Sequence, residues 1–301
     1  MYEQMSANRR KSIALCVFFI LIVFILALLF EEIAPGARIV AFPLAVVIAT
    51  VGPLVGYYNS DKIILRMSRA RPATREEHRF LMNTIEGLAI AAGTPVPKLY
   101  VIEDTAPNAF ATGRNPDHGV IAVTTGLLQK LNRRELEGVL AHEMSHIKNY
   151  DILIDSIAVI LVGVVALLSD WMLRTFRYGP RRSRGASRSR GGGGQAQAII
   201  LLLALITAIL APLIAQLLRL AVSRKREFLA DASGAFLTRY PEGLASALEK
   251  LDADTEPLEV ANKSTAHLYI VNPLREHASL LNNLFSTHPP TQERVAALRR
   301  M

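Results

Sequence analysis

Residues 13–30 (IALCVFFILIVFILALLF) form an unbroken apolar run. A run of that length with no polar face spans the hydrocarbon core of a bilayer and suits a soluble core poorly. A cleaved signal peptide would have a shorter apolar core and a small-residue cleavage site. Here Glu31 and Glu32 follow instead, so the run is expected to remain as an uncleaved anchor. A second apolar stretch, residues 39–58, carries Pro43 and Pro53, which membrane helices tolerate better than soluble ones. Arg9, Arg10 and Lys11 precede the first span, and Lys62, Arg66, Arg69, Arg71 and Arg75 follow the second. The link between them holds Glu31, Glu32 and a single arginine, Arg38. The positive-inside rule therefore sets both ends of this hairpin in the cytoplasm.

Two more apolar stretches come later. Residues 152–173 contain a strictly apolar core of 157–168 bounded by Asp155 and Asp170, and residues 198–218 are cleaner. Between them, residues 181–194 are rich in Arg, Ser and Gly and end in Gly191, Gly192, Gly193 and Gly194. That composition cannot pack a core and predicts a mobile loop. Arg174, Arg177, Arg181, Arg182, Arg184, Arg188 and Arg190 supply nearly all of the formal net charge of +8. The basicity is local and the rest of the chain is nearly neutral, so nucleic acid is not an expected partner. Cys16 is the only cysteine, which excludes intramolecular disulfides and any cysteine-built metal site. The chain divides into an N-terminal membrane hairpin (1–60), a first soluble part (61–151), the third and fourth apolar segments with their loop (152–222), and a second soluble part (223–301).

In the soluble parts, residues 74–92 read as a helix with Thr74 as N-cap, Glu77 three residues on, and Gly93 at its end. Residues 99–104 read as a strand, residues 120–128 begin as another β-rich run, and residues 108–113 read as a short strand between them. A further helix starts at Asn132, where Glu135 completes a capping box. Its apolar positions Leu136, Val139, Leu140 and Ile147 recur at helical spacing, and it runs toward the third apolar stretch.

That helix carries His142-Glu143-Met144-Ser145-His146, an H-E-x-x-H pattern. Residues four apart stand one above the other on a helix, so both imidazoles can reach a single ion. Zinc suits two neutral nitrogens in a site that keeps an open position. Glu143 is rotated off the ligand face yet near enough to take a proton from a water at the metal, as a general base requires. A catalytic zinc needs a third protein ligand. His78, His118, His267, His277 and His288 are available, and so is the pair Glu227 and Asp231, four apart on one helical face. One acid of such a pair can bind the metal while the other orients a ligand histidine. By spacing alone, the pair also describes an ordinary surface helix.

Three segments together are distinctive: Ala141-His142-Glu143-Met144-Ser145-His146, the stretch Ser223–Asp231 (SRKREFLAD), and Thr287-His288-Pro289-Pro290. In this order, and with the membrane segments around them, they resemble over essentially the whole chain the HtpX family of bacterial membrane zinc proteases, distant relatives of the eukaryotic CaaX prenyl proteases. The resemblance implies one zinc per chain held by His142, His146 and Glu227, with Glu143 as general base and Asp231 as supporting acid. It implies that His288 and Arg294 steady the transition state and that Asn108 lies beside the substrate. His, Arg and Asn donors suit the oxyanion that develops when a peptide carbonyl is attacked. His78, His118, His267 and His277 are left as surface or packing residues.

The expected architecture is a mainly helical α+β integral membrane zinc metalloprotease, with the HExxH helix, a small β-element beside it and about four membrane helices. The resemblance implies a multi-pass protein of the bacterial cell membrane with its active site facing the cytoplasm. Its partners would be the lipid bilayer and unfolded or damaged polypeptides of the membrane and cytoplasm. The β-rich segment 108–124 could offer an edge to which an extended substrate adds as a strand. A CaaX-type processing protease would share this chemistry, and a membrane scaffold would leave the motif idle. His142, His146 and Glu227 must meet at one ion, so the chain between them crosses the membrane an even number of times. Two crossings are expected, with the arginine-rich loop outside, against the positive-inside rule. The alternative is zero crossings, which would keep the arginines in the cytoplasm and suits the short 157–168 apolar core.

Overall fold

The computed structural model of the protein describes residues 2–33, 38–178, 223–262, 264–273 and 289–301. The apolar segment 198–218, the loop 181–194, His277 and His288 lie outside the described residues. Three long helices form one end of the molecule: α1 (Tyr2–Ile33), α2 (Arg38–Met67) and α6 (Asp151–Tyr178). Helix α2 passes through Pro43 and Pro53 without ending. Leu15, Phe19 and Val23 of α1 meet Ala45 and Ala49 of α2 and Ile154, Ile157 and Leu161 of α6 in one buried cluster. The opposite face of α1 carries Ile13, Val17, Leu21, Ile25 and Leu28, each at least 50% exposed. Among the described residues, one helix is long and apolar enough to cross a membrane, over Phe42–Met67.

The other end is mainly helical with one small sheet. Its strands β1 (Arg71–Pro72), β2 (Lys98–Ile102), β3 (Ala109–Thr112) and β4 (Val120–Thr124) stand in the order β1-β2-β4-β3. β2 and β4 are parallel, β3 is antiparallel to β4, and β3 forms an edge.

Two boundaries differ from the sequence reading. Helix α3 begins at Arg79 and ends at Ala92. Thr74 does accept the Glu77 N–H (3.4 Å), but Glu77 is drawn into an ion pair with Arg71 (2.6 Å), and His78 stands outside the helical conformation at φ −128°, ψ 42° before the helix starts. Gly93 closes α3 in the left-handed conformation at φ 67°, which favours glycine. The β-rich run 120–128 stops at Thr124, whose hydroxyl accepts the Leu127 N–H (3.1 Å) and starts the short helix α4 (Thr125–Lys130).

Helix α5 (Arg133–Lys148) starts as read. Asn132 Oδ1 accepts from the N–H groups of Arg134 and Glu135 (both 3.0 Å), and Glu135 Oε2 accepts from the Asn132 N–H (2.9 Å). Helix α5 packs against α7 (Arg224–Thr238) and α8 (Pro241–Ala253), and glycines permit the close approach. A Cβ on Gly138 would stand 2.7 Å from Leu244 N, and one on Gly234 would stand 3.0 Å from His142 N. Helix α9 (Thr291–Leu298) closes the bundle on α7 and α8. The α5 helix does not run on into α6. Tyr150 adopts φ 59° between them, and this turn sets Asp151 back toward α5.

Candidate metal centre

His142 and His146 lie one turn apart on α5, and Glu227 comes from the first turn of α7. The ligand atoms of the three all lie within 4.8 Å of one another. Nε2 of His146 is 3.1 Å from Nε2 of His142, and the Glu227 carboxylate oxygens lie 3.8 Å from His142 Nε2 and 3.6 Å from His146 Nε2. Spacing alone left Glu227 and Asp231 interchangeable, and the structure separates them. Asp231 stands behind His142, with Oδ1 2.9 Å from Nδ1.

Asp151 does the same for His146, with Oδ2 3.0 Å from Nδ1. Sequence reasoning missed it. The only available signal was an acid at the junction of two helices, and its orientation depends on the Tyr150 turn. Each ring thus holds its Nδ1 against a carboxylate and turns Nε2 to the common point. That arrangement fixes the tautomer and raises ligand basicity. Asp151 is itself held by Asn8 at the start of α1, whose Nδ2 donates to Asp151 Oδ1 (2.6 Å) and to the Asn149 carbonyl (3.0 Å). Arg226 reaches Asp151 (3.5 Å) and Asp155 (3.2 Å). Asp151→Ala is expected to weaken zinc binding by about 10–100-fold, measured by competition with a fluorescent chelator. Wild-type affinity would mean that the His146 ring is held by its neighbours alone.

The electrostatics suit a divalent cation. Burial holds the His142 imidazole below its ordinary value, against the pull of Asp231. At His146 burial acts in the same direction, but Asp151, Glu227 and Glu143 outweigh it and lift the ring to about 10. The site draws positive charge to Nε2, where a metal would bring it. Burial pushes the Glu143 carboxyl up to about 7, partly offset by His146. Donor types, spacing and both supporting carboxylates fit zinc.

Arg294 is fully buried behind this layer. Its Nε and Nη2 donate to the two oxygens of Asp231 (2.8 and 2.7 Å), and Nη1 donates to the Ile270 carbonyl (3.0 Å). Nη1 also lies 3.7 Å from Glu227 Oε2. The guanidinium is therefore placed to hold Asp231 and, through it, His142. Asn108 is buried too. Its Nδ2 donates to the Val271 carbonyl (2.9 Å), and its Oδ1 accepts from the Ala109 N–H (3.1 Å).

The exposed edge expected of β3 is occupied. The Ile270 N–H donates to the Ala109 carbonyl (3.0 Å), and Ala111 of β3 lines the same cleft as Glu143. Covering an edge in this way prevents pairing with other chains. The cleft among His142, Glu143, His146, Glu227, His267 and Ile270 holds about 20 Å³, room for about one water. His267, read from sequence as a surface or packing residue, is buried and lines this cleft, with Nε2 3.5 Å from the Asp155 carbonyl. His118 is exposed and pairs with Arg114, and His78 pairs with Glu77, so neither joins the centre.

A helix-borne histidine pair, a carboxylate from a second helix and a buried glutamate beside them define a metallopeptidase of the HExxH class. The model of peptidase family M48 matches residues 75–301. The chain is 47% identical to a protease HtpX homolog of Dictyoglomus turgidum, covering 100% of this chain and 94% of the relative. It is 44% identical to one of Thermoanaerobacter pseudethanolicus (100% and 98%) and 42% identical to one of Listeria monocytogenes (100% and 100%). Among solved structures, Ste24p of S. mikatae superposes with a TM-score of 0.46 at 20% identity, over 99% of this chain and 67% of that one. The chain belongs to peptidase family M48, and it is a zinc metalloprotease.

Proposed function

We propose that the protein is a multi-pass membrane endopeptidase whose zinc site faces the cytoplasm and which degrades misfolded or damaged membrane and cytoplasmic proteins. The observation that carries this reading is the convergence of His142, His146 and Glu227 beside Glu143, next to the ends of α1 and α6. The outward apolar stripe of α1 and the naming of its relatives as HtpX homologs support membrane quality control. The reading includes four membrane helices and the four-part division at 60/61, 151/152 and 222/223.

When bound, zinc polarises the scissile carbonyl and acidifies a water. Glu143 takes the water's proton and delivers it to the leaving amine. Asp231 and Asp151 keep the two imidazoles turned to the metal, and Arg294 positions Asp231. His288 is assigned to donate to the developing oxyanion. A peptide does not fit the closed cleft, so segment 267–271 must leave β3 before substrate enters. Its departure frees the Asn108 amide and the Ala109 carbonyl to receive an extended substrate as an added strand.

The test combines activity with topology. Protein in membrane-mimetic discs should degrade unfolded casein and stop on chelation, while an inert chain would point to a scaffold. Ser187→Cys in a Cys16→Ala background should react with an impermeant maleimide on intact spheroplasts. Labelling only after lysis would put the arginine-rich loop in the cytoplasm and remove two of the four crossings.

A further inference from the structure

Away from the zinc centre, a groove of about 610 Å³ opens between α1, α2 and the start of α6. Along α1 its wall passes from the polar Ser6 and Ser12 to the apolar Ile13 and Val17 within about 16 Å of helix. Tyr57, Arg114 and Leu153 complete the sides that matter here. The polar rim therefore sits where charged flanks give way to membrane sequence. The apolar wall continues into Leu21, Ile25 and Leu28, which are at least 50% exposed on the same stripe.

Arg114, on the loop after β3, is the cation of this rim. Its guanidinium lies 5.4 Å from the Tyr58 ring centre and 6.0 Å from that of Tyr57. Its Nη2 donates to His118 Nε2 (2.6 Å), and His118 Nδ1 faces Asn115 Oδ1 (2.7 Å), an arrangement that leaves Nε2 as the acceptor. Among the described residues no carboxylate pairs with Arg114, unlike Arg71, Arg226, Arg294 and Arg299. Arg10 is exposed one helical turn from Ser6 and adds a second positive charge on that face. A half-buried guanidinium without a counter-anion, flanked by interfacial tyrosines above an apolar channel, matches one ligand chemistry: a phosphate ester carrying hydrocarbon.

We propose that this groove binds one acidic phospholipid, with the phosphate on Arg114 and an acyl chain along Ile13 and Val17. The proposal rests on the membrane reading above but not on the zinc chemistry. Inorganic phosphate could satisfy Arg114 alone, yet it would leave the apolar wall unfilled, which favours the lipid.

The test uses the full chain in detergent with equimolar phosphatidylglycerol and phosphatidylcholine, counting retained lipid by native mass spectrometry. One phosphatidylglycerol per chain should be retained, preferred by about tenfold, and Arg114→Gln should erase that preference. Val17→Trp, at a side chain already half exposed, should block both lipids and serves if Arg114→Gln does not fold. Excess inorganic phosphate should not displace the lipid. Equal retention of the two lipids, unchanged retention in both variants, or displacement by inorganic phosphate would each overturn the proposal. Casein cleavage is followed in the same samples. Its absence beside intact lipid selectivity would count against the protease reading alone. Release of the chain from membranes by alkaline carbonate would defeat the membrane reading and this groove with it.

Discussion

Glu143→Gln should keep one zinc per chain and lose casein cleavage by about 10²–10⁴-fold, the range expected when a positioned general base is removed. The substitution preserves size, so the packing of Glu143 beside β3 in the cleft has no reason to shift. Glu143 is not among the three residues whose ligand atoms converge, so metal content should be unaffected. Metal analysis and the cleavage rate, taken on one preparation, separate the two roles. Loss of zinc in this variant would show that Glu143 is needed to build the site, and a general-base role could no longer be claimed from the rate alone.

Arg294→Met carries the largest expected cost in stability. The wild-type guanidinium makes two short bonds to Asp231, and both residues are almost wholly buried. Nearby Arg294 holds the Asp231 carboxyl below its ordinary value, overcoming the opposing effect of burial. Removing one partner leaves an uncompensated charge in a dry interior, a loss of about 3–5 kcal/mol. Asp231 orients His142, so zinc affinity should fall along with the unfolding temperature. Arg294→Met with Asp231→Asn should recover part of the stability, because no charge is then stranded. A variant as stable as wild type would mean that water reaches Asp231.

The two predictions draw on different layers of legibility. Glu143 could be read because the HExxH spacing and the Asn132–Glu135 capping box are local signals. Each depends on a few neighbouring residues of one helix, and α5 forms where they put it. Arg294 was picked out only through a resemblance, and its placement gives it a different partner from the one expected. Its contacts to Asp231 and Ile270 bridge 63 and 24 residues of sequence, and no pattern in the chain encodes them. Asp151 and Asn8 went unread for the same reason: their bond joins positions 143 residues apart.

The apolar segments, the catalytic helix and the zinc chemistry are legible in the residues alone, because hydrophobic length, capping and i,i+4 spacing act within a few turns of chain. Spacing does not separate Glu227 from Asp231; the resemblance named Glu227, and the fold supplies the reason. On one helical face the two acids are equivalent, and the crossing of α7 over α5 at Gly234 brings the first to the common point while setting the second behind His142. The tertiary structure alone decided that β3 is closed by residues 269–271. Edge pairing is a contest between any strands within reach, and the chain's own segment is held there by Asn108 and by Tyr269 packed against Phe110.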